Sequence, residues 1–389
     1  MKKISVIATI LVIIAVPYLG AYLHHHGNFP ENYFVFPPTE NRKPEPNSLV
    51  LGITFVFFVL AILLFVFPQV FGFKKYKGPR QAIRTGHKLP YWFWIGLAVW
   101  SISFISFAFK WSEPKWFVQW AFLPLCWGFI FILDGLVFKF DPKGSLFSNK
   151  KIELASMALT SVSGWLIYEY LNFFIEHNWF YPAANLMSRK VYFLYAALGS
   201  AAFIPMSFEW YQLLIALKIL NYKYKLGPIV AYSKSVSVIL VAVGFGLLFV
   251  TPFISDNIFY GIWIAPIIIL ASLMRFLNLK TPFTEIRTTG NWTFLLVFAL
   301  TWLAQGLFIE GWNWASGFDL PNGSPYSNNP AYWNYCIPFV SIFYVFEMPF
   351  FGYMGYLLFS IHCWLWWSVI QGAFFPSQTH SLSDDFVKS

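Results

Sequence analysis

Residues 165–182 read WLIYEYLNFFIEHNWFYP, an aromatic segment that is apolar enough to enter a bilayer but that carries the carboxylate Glu169. An ionised carboxylate at bilayer depth costs a few kcal/mol. We therefore expect Glu169 to lie near a helix end, to be paired with a polar group, or to take part in chemistry. The rest of the chain has to distinguish these alternatives.

The composition of the whole chain is that of a membrane protein. Of its 389 residues, 58% are hydrophobic, 22% are aromatic and only 11% are charged, whereas soluble domains have about 25% charged residues. Apolar runs of about 20 residues recur, which is the length that a helix needs to cross about 30 Å of hydrocarbon. We predict an all-α, polytopic bundle of about ten transmembrane helices, built from two related halves.

The apolar runs define the predicted spans, which are 4–23, 48–72, 91–109, 116–138, 152–174, 191–221, 228–253, 258–274, 292–312 and 337–372. Two of these runs are too long for one crossing, and they contain Pro205 and Pro349 respectively. Because proline interrupts a helix, we expect each run to break at its proline, with a short half-helix before a full span. The predicted units are residues 1–150 with four spans, a first helical unit at 151–222, and a second at 223–389.

The excess of 26 basic over 17 acidic residues gives a net charge of +9. The basic residues concentrate in a few loops, as expected for cytoplasmic loops that face anionic lipid, so no nucleic-acid partner is needed. We predict a cytoplasmic amino terminus and cytoplasmic loops at 73–88, 139–151, 218–225 and 275–287, in a bacterial inner membrane. The polar segment 313–336 then lies outside, where a membrane protein partner could bind it.

Neither a metal site nor a cofactor is predicted. The three cysteines lie in or beside apolar runs without close pairing, and His24, His25 and His26 are adjacent, so they cannot share one helix face. Nucleotide-binding glycine patterns and the common hydrolase motifs are missing from the sequence. We expect the histidines to form an interfacial patch, and Asp134 to pair with Lys139 or with interfacial water.

An internal repeat is suggested by two similar groups of residues. Each group has a glutamate, an asparagine three positions later, and then a Trp-x-Tyr triplet. The members are Glu169, Asn172, Trp179 and Tyr181 in the first group, and Glu310, Asn313, Trp333 and Tyr335 in the second. The i, i+3 spacing puts acid and amide on one helix face, where the amide can orient the acid. The alternative is chance, because Trp and Tyr are enriched at every membrane interface.

Each group is followed by a proline and a further glutamate. In the first group these are Pro205 and Glu209, and in the second they are Pro338 and Glu347. If both proline breaks return the chain to similar depth, four carboxylates converge between the two halves. We predict this set as a catalytic group made of Glu169, Glu209, Glu310 and Glu347, with the asparagines and the Trp-x-Tyr residues binding the substrate.

This order of residues resembles the integral-membrane carotenoid (lycopene) cyclase-type family. The resemblance covers Trp165–Leu214 and, more loosely, Leu307–Phe351. It implies duplicated helical units and assigns Glu209 and Glu347 to the carboxylates of the family's Pro-x-Glu-Glu element, with Glu169 as an earlier acid. Each unit here has a single glutamate instead of the double one, and the four amino-terminal spans have no counterpart in the family.

The resemblance implies a cofactor-independent cyclase that acts on an apolar isoprenoid or carotenoid substrate. Such a reaction needs a protonated carboxylic acid, aromatic faces that stabilise a carbocation, and a second carboxylate that removes the terminal proton. Two other functions stay open. Buried acids and proline-broken helices also occur in proton- or ion-coupled transporters, and the outer loop 313–336 could belong to a non-catalytic subunit or assembly factor.

Overall fold

The protein is described by a computed structural model that covers residues 2–39, 45, 47–79, 86–176, 178–218, 220–279, 281–337 and 343–375. Pro338 and residues 80–85 of the basic loop 73–88 lie outside the described residues. The structure is mostly helical and has a few short strands, so the predicted helical class is confirmed in this coarser form.

Fifteen α-helices lie within the described ranges. They are α1 (Lys2–His24), α2 (Ser48–Val66), α3 (Tyr91–Ala108), α4 (Lys115–Val118), α5 (Phe122–Phe140), α6 (Leu146–Asn149), α7 (Lys151–Asn172), α8 (Arg189–Ser200), α9 (Phe203–Ala216), α10 (Lys234–Val250), α11 (Ser255–Ile258), α12 (Gly261–Phe276), α13 (Pro282–Thr289), α14 (Thr293–Ser316) and α15 (Met354–Phe374).

Six short strands form three antiparallel pairs. The strands are β1 (Trp179–Phe180), β2 (Gly317–Asp319), β3 (Pro325–Ser327), β4 (Asn334–Tyr335), β5 (Tyr344–Val345) and β6 (Met348–Pro349). β2 pairs with β3, and β5 pairs with β6. β1 pairs with β4, which joins two segments that are distant in sequence.

Eight helical segments within the described ranges are long and apolar enough to cross a membrane, so the chain is a multi-span membrane protein. They are Lys2–His24, Ser48–Val66, Tyr91–Ala108, Phe122–Phe140, Arg189–Ala216, Lys234–Phe253, Thr293–Ser316 and Phe350–Phe374. The remaining two predicted spans correspond to α7 and to α12, which is 16 residues long. The structure therefore confirms a multi-span helical bundle, and the number of about ten spans stays a prediction.

The centre of the bundle is formed by α5, α7, α9, α14 and α15, whose side chains are largely buried against one another. In contrast, α2 and α3 present most of their apolar side chains outward, where lipid would cover them. α3 packs closely along α5 because two glycines face each other there. A Cβ at Gly96 would lie 2.7 Å from the Gly128 carbonyl oxygen, so only small residues permit this approach.

The two proline positions behave differently. The run that contains Pro205 is broken at residues 201–202, between α8 and α9, and Pro205 lies in the first turn of α9, where no helical N–H is lost. The half-helix predicted before Pro349 is wrong. Residues 344–349 instead form the hairpin of β5 and β6, and the helix resumes after a 3₁₀ turn at Phe350–Tyr353.

Candidate functional site

The carboxylate of Glu169 lies near the carboxyl-terminal end of α7 and is 4% exposed. It accepts hydrogen bonds from three neutral donors. Trp165 Nε1 donates to Oε1 at 2.8 Å, Trp179 Nε1 donates to Oε2 at 3.2 Å, and the Tyr181 hydroxyl donates to Oε1. We call this arrangement the first acid site. Both residues of the Trp-x-Tyr triplet thus contact the acid directly.

Glu310, which lies on α14 and is fully buried, forms a second acid site. Its Oε1 accepts hydrogen bonds from the hydroxyls of Tyr335, at 2.6 Å, and Tyr356. Trp333 Nε1 donates to the Tyr335 hydroxyl at 2.8 Å, so the triplet again surrounds the acid. The other carboxylate oxygen, Oε2, is buried without a hydrogen-bond partner among the described residues.

The asparagines have a role different from the predicted one. We expected each amide to hold its neighbouring acid. Instead, Asn172 Nδ2 donates to the Trp179 carbonyl at 2.9 Å, and Asn313 Nδ2 donates to the Trp333 carbonyl at 2.8 Å. The Trp333 N–H also donates to Asn313 Oδ1 at 3.0 Å. Each asparagine therefore fixes the backbone of its Trp-x-Tyr segment and acts on the acid through that segment.

The two acid sites are joined by the β1–β4 pair. In this pair Trp179 lies opposite Tyr335, and Phe180 lies opposite Asn334. Both Trp-x-Tyr segments therefore take part in one small antiparallel ladder, in which Trp179 contacts Glu169 and Tyr335 contacts Glu310. The structure brings the two repeated groups together, although hydropathy alone does not specify which loops pair.

A cavity of about 540 Å³ lies beside this ladder, and its wall is mainly apolar. Glu169, Asn178, Tyr181, Tyr335 and Tyr356 place polar groups on the wall. Within the described residues, Glu169 is the one carboxylate that lines it, and no Lys, Arg or His does so. Glu310 reaches the cavity through its two tyrosine partners. Further aromatic residues of the wall are Phe57, Phe122, Trp165, Trp179, Tyr192, Tyr195, Phe203, Phe259, Tyr260, Trp263, Trp302, Trp333, Phe351 and Phe359.

Several wall residues escaped the sequence analysis. Tyr356 lies on α15, outside both repeated groups, and its ring stacks on Trp302 at 6.0 Å. Trp263 on α12 stacks on Tyr168 at 4.5 Å. Gly306, a glycine in the middle of α14, is the sequence feature that could have indicated Tyr356. A Cβ at that position would lie 2.5 Å from Tyr356 Cδ2, so the glycine makes room for the ring.

The predicted convergence of four carboxylates is wrong. Glu209 is buried within α9 beside Asp134, and neither lines the cavity. Glu347 lies in the turn between β5 and β6, where its Oε1 accepts a hydrogen bond from the Tyr332 hydroxyl at 2.9 Å. Burial raises the pKa of Glu347, an effect that the Tyr332 hydrogen bond opposes. Glu209 occupies a buried helix position, whereas Glu347 occupies a hairpin turn. The proline and glutamate that follow each group are therefore not equivalent in the two halves.

Asp134 also differs from expectation. It does not pair with Lys139 but accepts hydrogen bonds from Trp92 Nε1 at 2.8 Å, from Ser145 Oγ at 2.7 Å and from the Phe147 N–H at 2.7 Å. These donors come from α3, from the residue that caps α6, and from α6 itself. Asp134 thus ties the loop 141–150 to α3 and α5.

No group of three or more His, Cys, Asp or Glu side chains is arranged for metal binding within the part of the chain that the structure describes. His24 and His25 contact each other edge to face at 4.7 Å, at the end of α1. The three cysteines, Cys126, Cys336 and Cys363, are buried, and no disulfide joins them.

Comparison of the chain with known protein families, with characterised proteins and with solved structures finds no match. The resemblance to the carotenoid cyclase family therefore stays a prediction, and the geometry of the two acid sites is what supports a function.

Proposed function

We propose that this protein is an integral-membrane, cofactor-independent enzyme that protonates a carbon–carbon double bond of an apolar isoprenoid and thereby cyclises it, in the manner of carotenoid cyclases. The observation that carries this proposal is the position of Glu169, a carboxylic acid on the wall of an aromatic-lined cavity of about 540 Å³. An ion or a polar metabolite would make few hydrogen bonds with such a wall, whereas an apolar chain would make favourable van der Waals contacts with it.

The first step would be transfer of the Glu169 proton to one alkene carbon. The π electrons form the new C–H bond, the neighbouring carbon becomes a cation, and Glu169 becomes a carboxylate. Trp165, Trp179 and Tyr181 already donate hydrogen bonds to its oxygens. Donors that are fixed before the charge develops stabilise it without reorganisation, which favours proton release.

The carbocation would next be stabilised by aromatic faces. Trp263, Trp302 and Phe359 lie on the cavity wall, and the Phe359 ring contacts both tryptophans, with the Trp302 centroid 4.7 Å away. A cation over such rings gains about 0.5 to 2 kcal/mol per favourable contact. A second double bond of the same substrate then attacks the cation, which closes the ring and moves the charge to a new carbon.

The last step would be loss of a proton from the carbon beside the new cation. Tyr356 lines the cavity and donates to Glu310. The C–H proton passes to the Tyr356 oxygen while the phenol proton passes to Glu310, and the C–H electrons form the product double bond. Return of one proton from Glu310 to Glu169 through solvent resets the enzyme. The overall reaction is an isomerisation, so no oxidant or co-substrate is required.

The test is production of cyclic carotenoid in bacterial cells that make lycopene. We expect a new cyclic product when the chain is expressed, and we expect Glu169→Gln to reduce its formation by about 100-fold or more, because general acid catalysis contributes at least that factor. Glu176→Gln is a matched control, since Glu176 is a nearby but exposed carboxylate. Absence of a product beside an active reference cyclase, with the chain present in the membrane, would contradict lycopene cyclisation.

A further inference from the structure

We propose that the cavity is entered sideways from the bilayer, between α2 and α8, by a long neutral hydrocarbon chain of which only one end reaches Glu169. The inference rests on the proposed function for the chemistry at that end. It adds the route of entry and a substrate class, namely a prenyl or polyene hydrocarbon and not a prenyl diphosphate.

The wall formed by α2 is only one side chain thick. Ile53, Thr54 and Phe57 line the cavity, yet Ile53 is 38% exposed and Phe57 is 61% exposed. Because α2 crosses the hydrophobic region of the protein, the outer faces of these side chains contact lipid. A movement of one helix is therefore sufficient to connect the cavity with the acyl chains.

α2 is held to the bundle near its outer end. Val50 is its one buried residue among those described, and it packs in a small separate cluster with Phe259, Ile337 and Phe351. Further along, Phe58 contacts the Phe351 ring at 5.3 Å. The main partners of α2 are the turn Phe350–Tyr353 and the turn at its own inner end. At that inner end the Phe65 carbonyl accepts a hydrogen bond from the Tyr224 hydroxyl at 2.8 Å. Most side chains between the two ends of α2 are apolar and exposed, so the middle of the helix resists outward bending weakly.

α8 forms another part of the cavity wall, and it carries small residues there, namely Ala196, Gly199 and Ser200. The other face of α8 presents Leu194 to lipid, at 54% exposure. The small residues leave room for a chain to pass along this helix.

The chemistry of the wall selects a neutral ligand. Among the described residues that line the cavity there is no Lys, Arg or His, and these are the side chains that bind phosphate groups. The polar side-chain groups of the wall are those of Glu169, Asn178, Ser200, Thr54, the tyrosines and the tryptophan indoles. A diphosphate headgroup would remain unpaired there, which is costly, whereas an uncharged polyene end fits.

Binding can be measured separately from catalysis by energy transfer from the cavity tryptophans to a polyene. The protein is placed in lipid nanodiscs and titrated with all-trans-retinol, and geranylgeranyl diphosphate is added as competitor. We expect the cavity tryptophans to transfer energy to bound retinol. We expect geranylgeranyl diphosphate to displace retinol at least 10-fold more weakly than an uncharged hydrocarbon of similar shape does. Equal competition by the diphosphate would overturn the assignment to a neutral ligand.

The entry route is tested by substitutions that place a larger side chain in it. Thr54→Phe and Ala196→Phe should each weaken retinol binding by about 10-fold or more, and they add no tryptophan to disturb the signal. Val56→Phe on α2 and Leu194→Phe on α8 are the matched controls, because these side chains face lipid and do not line the cavity. All four variants should retain the thermal stability of the parent if the effect is local.

A second measurement covers the case in which the narrowed variants misfold. Cysteines at Thr54 and Ala196, joined by a cleavable bismaleimide, should slow retinol uptake from the bilayer at least 10-fold, and cleavage of the linker should restore it. Unchanged uptake in the linked protein would overturn the sideways route. Blocked uptake in the linked protein, together with no cyclic product from the unlinked protein that takes up retinol, would uphold the route and refute the proposed reaction. Product formation in the linked protein would refute the route and uphold the reaction.

Discussion

The phenol of Tyr356 joins the cavity to Glu310, and this one hydroxyl can be removed without changing the ring. We expect Tyr356→Phe to lower the rate of product formation by about 10- to 100-fold, because Glu310 loses its connection to the substrate. The retinol affinity should stay the same. Turnover and binding are measured in the same nanodisc preparation.

Tyr353→Phe is the control for this prediction. Tyr353 lies one turn earlier in the chain and donates to the Val345 carbonyl at 3.1 Å, so it makes a hydrogen bond outside the cavity. If Tyr356→Phe and Tyr353→Phe had equal effects on turnover, or if Tyr356→Phe lowered affinity and stability together, the hydroxyl of Tyr356 would be structural.

A pH effect on stability is expected from Glu347. Since its folded pKa is raised by burial, the folded state holds a proton that the unfolded state has already lost. The stabilisation is complete below the ordinary glutamate pKa and is lost as pH rises toward the raised value. Glu347→Gln should flatten this part of the profile, as measured by the thermal unfolding midpoint across a pH series. An unchanged slope would show that another group causes it.

At the scale of elements, the asparagine that supports β1 gives a stability prediction. Asn172→Ala leaves the buried Trp179 carbonyl without its side-chain donor, and we expect the free energy of unfolding to fall by about 1 to 3 kcal/mol. Product formation should fall as well, since Trp179 and Tyr181 both hold Glu169. Asn322→Ala, in the exposed loop between β2 and β3, should change stability by less than about 0.5 kcal/mol. Denaturant titration in detergent followed by tryptophan fluorescence compares the two.

The helices were predictable from sequence and the small sheets were not. Hydropathy places most helix ends within a few residues, because the bilayer fixes the length of an apolar run. The structure of residues 344–349 could not be read in this way, because the apolar side chains of the β5–β6 hairpin look like part of a span. Glu347 was misplaced for that reason, and its supposed equivalence to Glu209 failed with it.

The candidate site was half predictable. Glu169, Glu310 and their Trp-x-Tyr partners are local in sequence, and a carboxylate near indole and phenol donors is a recognisable pattern. Tyr356 and Trp263 come from other helices, and only tertiary packing brings them to the cavity. The pairing of β1 with β4 likewise depends on the arrangement of the whole bundle, which spacing along the chain does not encode.

At the scale of the whole molecule, the orientation in the membrane remains a prediction that labelling can test. A cysteine at Asn322 should react with an impermeant maleimide in intact cells, and a cysteine at Lys223 should react only after permeabilisation, because basic loops face the cytoplasm. Both positions are exposed, whereas Cys126, Cys336 and Cys363 are buried and should give little background. The opposite labelling pattern would invert the proposed topology.

The β1–β4 ladder has one consequence for how the protein would respond to its ligand. Trp179 donates to one glutamate, and its strand partner Tyr335 donates to the other. A ligand that displaces either segment must therefore perturb both, and thermodynamic linkage requires the influence to be equal in the two directions. Whatever proton release at Glu169 does to the affinity of Glu310 for a proton, proton release at Glu310 must do to the affinity of Glu169, so coupling through the ladder is symmetric.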